Sequence, residues 1–117
     1  MNDDGTLTID EYQSRTMDTA IYPEAGDRSV MAVIYVALGL AGEAGEIANK
    51  AKKILRDGTA LDQFAKDARK EIGDAAWYLA RLCDELDTGL SEVLAGNLAK
   101  LADRKARGVL RGSGDNR

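Results

Sequence analysis

Apolar residues at Val30, Val33, Ile34, Ala37, Leu40, Ala41, Ala44, Ile47, Ala48, Ala51, Ile54 and Leu55 recur every three or four positions almost without a break. That is the spacing of one face of an α-helix. The pattern predicts a long helix opening at Val30, capped by Asp27 or Ser29 and ending at Arg56, Asp57 and Gly58, where glycine suits a C-terminal stop. A second periodic stretch, with Phe64, Ala68, Ile72, Ala75, Ala76, Leu79, Leu82, Cys83 and Leu86, follows after Thr59 or Asp62 as cap. The two helices should fold back on each other as an antiparallel hairpin. Before them, Thr8 with Glu11 forms a capping box and Leu7 can staple onto Tyr12, which predicts a helix running to about Ala20. Pro23 and Gly26 then break the chain. After Gly89, Ser91 is placed to cap a fourth helix with Leu94, Leu98, Leu101 and Ala102 on one face. The expectation is an all-α, four-helix bundle-type domain over residues 1–111 with the hairpin at its centre, and a disordered tail from Gly112 to Arg117.

Composition supports helices over strands: of 117 residues only one is proline and 5% are aromatic. A chain of this length with 44% hydrophobic residues suits one domain. The net charge of −4 argues against a nucleic-acid polymer as partner. The sequence has no histidine, which removes imidazole bases and His-ligated metals, so acid–base or metal chemistry falls to carboxylates. A single cysteine excludes an internal disulfide and fits a reducing compartment. The opening residues MNDDGTLTID lack the basic and apolar segments of a signal peptide. The apolar run Val30–Ala41 is shorter than the roughly 20 residues that span a bilayer. A cytoplasmic protein with no membrane partner is expected.

The chemical signal lies in AGEAGEI and KEIGDAA, which set Glu43 one helical turn before Glu46 and Glu71 one turn before Asp74. At about 100° per residue, both pairs fall on the same-handed flank of their apolar stripes. In an antiparallel hairpin equivalent flanks meet on one side of the seam. Register agrees, because Glu46 with Glu71, and Glu43 with Asp74, are each symmetric about the Gly58–Thr59 boundary. Four converging carboxylates repel one another unless a cation neutralises them, so a hard divalent ion is expected, magnesium first, with manganese as a substitute. Scattered E-x-x-E and E-x-x-D pairs also arise by chance on solvated faces of an acidic chain. The shared flank and register favour the metal.

Lys50, Lys53 and Tyr78 lie on the same flank, and Asn97, Lys100, Arg104 and Arg107 form a polar strip on the fourth helix. Cations beside magnesium suit a polyphosphate, whereas alone they would be an ordinary solvated face. Gly39, Gly42 and Gly45 each cost about 0.8–1 kcal/mol of helix stability relative to alanine, which points to close approach by another helix or a ligand. Trp77 projects off its helix's main stripe toward a second interface, in this subunit or another, and Cys83 reads as inert core.

The segments GLAGEAGEIANKAKKILRDG, KEIGDAAWYLARLCDELD and NLAKLADR together resemble the MazG-type all-α nucleoside triphosphate pyrophosphohydrolases. The likeness spans most of the chain. It implies that Glu43, Glu46, Glu71 and Asp74 hold magnesium and that a nucleoside triphosphate is cleaved between its α- and β-phosphates to a monophosphate and pyrophosphate. Glu43 would orient or deprotonate the attacking water, and Lys53, Asn97, Lys100 and Arg104 would contact phosphate and sugar, with Tyr78 supporting them. Tyr12 and Gln13 on the first helix could read the base. The resemblance further implies a homodimer or homotetramer. The chain departs from several relatives of that kind at Gly42, where a further acid is common. Two alternatives stay open: the same chemistry on an alarmone, dUTP, dCTP or a phosphoribosyl nucleotide, and a catalytically silent helical interaction module.

Overall fold

The computed structural model describes residues 1–111; the expected tail from Gly112 to Arg117 lies outside them. The chain forms α1 (Ile9–Thr16), which runs into a single 3-10 turn (Met17–Thr19), then α2 (Val30–Asp57), α3 (Leu61–Glu85) and α4 (Leu90–Ala106). No strand occurs among the described residues. The fold is all-α, with α2 and α3 packed along each other as the central antiparallel hairpin and α1 and α4 at its open end.

The local signals that shape the helix ends are mostly side-chain caps. Thr8 Oγ1 accepts the Glu11 amide at 3.1 Å, and Ser29 Oγ accepts the Ala32 amide at 3.2 Å. Each satisfies an otherwise orphaned N–H of a first turn. Gly58 closes α2 in the left-handed region at φ 70, where any side chain would be strained. The two other helix starts differ from expectation. α3 begins after Ala60 with no side-chain cap, and Asp62 accepts only the adjacent Gln63 amide at 2.9 Å. α4 begins after Gly89, and its Leu90 amide is capped by Gln13 Oε1 at 2.7 Å, from a residue on α1. The expected cap, Ser91, instead donates to Asp10 at 2.8 Å. Gln13 also donates to Asp84 at 2.6 Å and to the Thr88 carbonyl at 3.0 Å. It therefore ties α1 to the α3–α4 corner and does not reach outward to a ligand.

A buried polar cluster organises that corner. Arg81 is fully buried and Glu85 is 2% exposed. The Tyr22 hydroxyl donates to Glu85, and Arg81 Nε donates to the Tyr22 oxygen at 3.1 Å. Arg81 also pairs with Asp84 at 2.5 Å and with Glu85 at 3.5 Å. The amides of Gly26 and Arg28 donate to the Glu85 carboxylate at 2.8 and 2.9 Å, which holds Arg28 at a left-handed φ of 57. Burial opposes ionisation of Glu85, but these donors outweigh it and its pKa lies below the usual carboxylate range. The 20–29 connection is thus pinned to α3 by a carboxylate that accepts from three directions.

The apolar core is small: Tyr22, Ala32 and Val36 are buried, with Trp77, Tyr78 and Leu82 packed against them. The single continuous stripe expected on α2 resolves into two faces. One packs on α3, and the other leaves Val30, Ile34 and Leu38 at 76%, 52% and 67% exposure. On α3 and α4, Ile72, Leu79 and Leu98 are exposed as well. The expectation that the apolar segment is too short for a bilayer also needs correction. Read over the whole of α2, an 18-residue window is long and apolar enough to cross a membrane by length and composition, although little of it is buried within the chain.

Of the three glycines singled out on α2, Gly39 has its reason inside the chain. A Cβ there would lie 2.2 Å from Cε1 of Tyr78, whereas at Gly42, Gly45 and Gly73 it would meet nothing within 4 Å. Gly39→Ala is therefore expected to destabilise. The roughly 0.8–1 kcal/mol gained in helix propensity is outweighed by about 1–3 kcal/mol of overpacking. Gly73→Ala, facing open space, should gain that propensity, and the two urea midpoints check the contrast.

Candidate metal centre

Midway along the hairpin, α2 presents Glu43 and α3 presents Glu71 and Asp74, with one carboxylate oxygen of each inside a sphere where all lie within 4.8 Å of one another. Glu71 and Asp74 share a face because they are one turn apart, and the tight link at Gly58 sets the register that brings Glu43 opposite them. Glu43 Oε2 is buried and has no hydrogen-bond partner among the described residues. An orphaned buried carboxylate oxygen is costly unless something satisfies it. The Glu43 pKa is raised, first by a hydrogen bond shared with Glu71, then by burial, then by the charges of Asp74, Glu71 and Glu46. These are the conditions under which a divalent cation relieves strain: hard oxygen donors, crowded like charge and an unsatisfied inward-facing atom. The residues fit such an ion.

Glu46 lies close enough to act on Glu43 electrostatically, yet it is exposed and stands outside the three-acid group. Lys50, one turn further on, pairs with Glu71 at 3.5 Å and so supplies a cation at the rim.

The cavity beside the acids has a volume of about 250 Å³ and is lined by Glu43, Asp74, Trp77 and Tyr78. The Tyr78 ring lies close against Gly39, in space that a Cβ there would occupy, and packs edge-to-face with Trp77 at 5.1 Å between ring centres. The Trp77 indole is fixed in turn by donating to Thr19 Oγ1 at 2.9 Å, so the second interface expected of Trp77 is with the first helical segment of the same chain. Beyond Trp77 lies a second cavity of about 300 Å³ lined by Leu7, Tyr12, Arg15, Thr16, Thr19 and Trp77. Burial and then the charge of Asp74 raise the Tyr12 pKa. The two cavities share Trp77 as a common wall.

Of the residues expected to contact substrate, Tyr78 lines the cavity beside the acids. Lys53, Asn97 and Lys100 are exposed and are not among its lining residues, and Arg104 is 4% exposed, near the C-terminal end of α4. The physical reason is the course of α4. It leaves the far end of α3 and packs on α1 and α3, so its polar strip is not laid across the acids of α2. Arg15 is a cavity residue that the charge pattern alone does not single out. The spacing of Tyr12, Arg15 and Thr19 along one face of the first helical segment is the sequence signal that marks it.

No known family profile matches the chain, and no solved structure matches it. The chain is similar to a protein of Mycobacterium phage L5, the Gene 37 protein, at 54% identity over 114 residues that cover 95% of this chain and 100% of that protein.

Proposed function

We propose that this chain, which belongs to the family of the Gene 37 protein of Mycobacterium phage L5, is a magnesium-dependent nucleotide pyrophosphohydrolase of the MazG-like kind. It would act in the cytoplasm and release pyrophosphate and a monophosphate from nucleoside triphosphates. The observation that carries this reading is the convergence of Glu43, Glu71 and Asp74 from two helices on one point, with Glu43 Oε2 buried and unpartnered.

Magnesium, when bound, supplies Lewis acidity and neutralises charge on a polyphosphate. The chain's own residues do the remainder. Glu71 and Asp74 offer carboxylate oxygens from α3 and Glu43 offers one from α2. Glu43, with its buried Oε2 unpartnered among the described residues, would orient or deprotonate the attacking water. Lys50 stands at the rim, where it can balance phosphate charge as well as that of Glu71. The cavity beyond Trp77 takes the nucleoside end, with the indole and Tyr12 as apolar walls and Arg15 as the polar group.

A panel of ribo- and deoxyribonucleoside triphosphates, an alarmone and a phosphoribosyl nucleotide, assayed for pyrophosphate with and without magnesium, tests the reading. Release from at least one member, dependent on the metal, is expected. A panel with no pyrophosphate from any member would return the chain to the silent-module alternative.

A further inference from the structure

The cavity of about 300 Å³ beyond Trp77 has apolar walls in Leu7, the Tyr12 ring and the indole, and its remaining polar side chains come from the first helical segment. Several of these are already engaged. Thr16 Oγ1 donates to the Gln13 carbonyl at 2.6 Å and accepts from Arg81 Nη1 at 3.4 Å. Thr19 Oγ1 donates to the Thr16 carbonyl at 3.2 Å and accepts the Trp77 indole N–H at 2.9 Å. Each hydroxyl has therefore given up its one proton, and the indole has no donor left for a ligand. Gln13, the one amide side chain on α1, is held at the α3–α4 corner by Asp84, Thr88 and Leu90. No carboxylate or amide side chain lines the cavity.

Arg15 and the Tyr12 hydroxyl are the groups left to meet a ligand. Arg15 is exposed, and its guanidinium has no ion-pair or hydrogen-bond partner among the described residues. It offers a planar fork of N–H donors and no acceptor. Tyr12 keeps its proton at neutral pH, because burial and then the charge of Asp74 raise its pKa, and it can donate as well. The free polar lining is thus rich in donors and poor in acceptors.

We propose that Arg15 makes this cavity selective for nucleobases that present a carbonyl, such as guanine, hypoxanthine, uracil and thymine, over adenine and cytosine, which present an amino group at the same ring position. The inference rests on the assignment of this cavity to the nucleoside end and names the class of base it takes. A purine carbonyl with its neighbouring N7 matches the guanidinium fork with two hydrogen bonds, and a pyrimidine carbonyl accepts at least one. An amino group in that place sets donor against donor and leaves both unpaired. The penalty against the wrong base then contributes as much to selectivity as the attraction to the right one.

Two matched pairs isolate the group concerned: inosine against adenosine triphosphate and uridine against cytidine triphosphate. Their α,β-methylene analogues, which resist cleavage at that bond, are titrated into the full chain with magnesium while the fluorescence of Trp77, the single tryptophan, reports binding. The parent should bind the carbonyl member of each pair at least about tenfold more tightly, the lower end for one bidentate contact. Arg15→Met should bring each pair to parity, Arg15→Lys should keep part of the preference, and Arg15→Gln should shift it toward adenosine, whose amino group and N7 suit an amide. Melting curves confirm that each variant is folded. Equal affinities within both pairs overturn the inference even if pyrophosphate is released from the natural triphosphates. A carbonyl preference that survives Arg15→Met overturns it too, and a parent that binds none of the four analogues overturns both the inference and the pyrophosphohydrolase reading. Selective, Arg15-dependent binding by a protein that releases no pyrophosphate leaves the inference standing and overturns the reading alone.

Discussion

Asp74→Asn and Glu43→Gln are each expected to lower magnesium-dependent turnover by at least about a hundredfold. Groups that merely support a metal ligand already cost about 10–100-fold when removed, and these two offer the ligand atoms themselves. The expected effect on stability runs the opposite way. Without metal the three acids repel one another, so deleting one charge should leave the metal-free variant as stable as the metal-free parent or more so. The same change should erase the rise in melting temperature caused by magnesium, which for an ion at a hundred times its Kd amounts to about 2.7 kcal/mol. The pH dependence has a definite sign. The folded pKa of Glu43 lies above its ordinary value of 4.5, so in the metal-free parent its contribution to stability is full below that ordinary value and is lost as pH rises through the folded one. Glu43→Gln should remove that loss. Melting curves of parent and variants across pH, with and without magnesium, check both halves. Variants that melt lower without metal yet release pyrophosphate at the parental rate would mean that these carboxylates are structural.

Arg81→Met is expected to be the most damaging change to folding, at about 3–5 kcal/mol, because it leaves the buried Glu85 carboxylate without its cation. Set against a total stability of about 5–15 kcal/mol, that loss is a large fraction of the whole. Burial works against Glu85 ionisation, and the Tyr22 hydroxyl, the two loop amides and Arg81 overcome it. Its folded pKa is therefore depressed below 4.5. The stability it contributes is present above that unfolded value and is lost as pH falls through the folded one. Urea unfolding at neutral pH and down an acid series measures this. The parent should lose stability across the acid window, and Arg81→Met should start low and lose less.

What is legible in the sequence follows the range of the interactions concerned. Thr8, Ser29 and Gly58 act on amides and carbonyls within a few residues, and the structure uses all three as expected. Ser91 fails as a cap because Gln13 reaches the α4 terminus from the other end of the chain, a contact that no local pattern announces. The α2 stripe reads correctly as helical but not as two-faced. Its apolar residues wrap so far round the helix that periodicity alone does not say which row packs on α3. The Arg81–Glu85 pair is visible in sequence only as two charges one turn apart, and their burial depends on Tyr22 and the loop amides closing over them.

The acid site divides along the same line. Helical spacing and hairpin register together locate Glu43, Glu71 and Asp74, because each is a short-range rule applied to one rigid pair of helices. Glu46 obeys the same spacing, but it lies at the exposed edge of the seam. The cations of α4 rest on likeness to a motif, and the path of α4 takes Lys100 and Asn97 away from the cavity. Trp77, ambiguous in sequence, becomes informative once Thr19 is seen to fix its indole between two cavities.

Phosphorus-31 spectroscopy of a nucleoside triphosphate incubated with the protein and magnesium tests the central claim most directly, because it shows which anhydride bond breaks. The account predicts monophosphate and pyrophosphate appearing together in equal amounts with the parent, and at least about a hundredfold more slowly with Asp74→Asn. Release of inorganic phosphate with a nucleoside diphosphate, or equal rates in parent and variant, would contradict it.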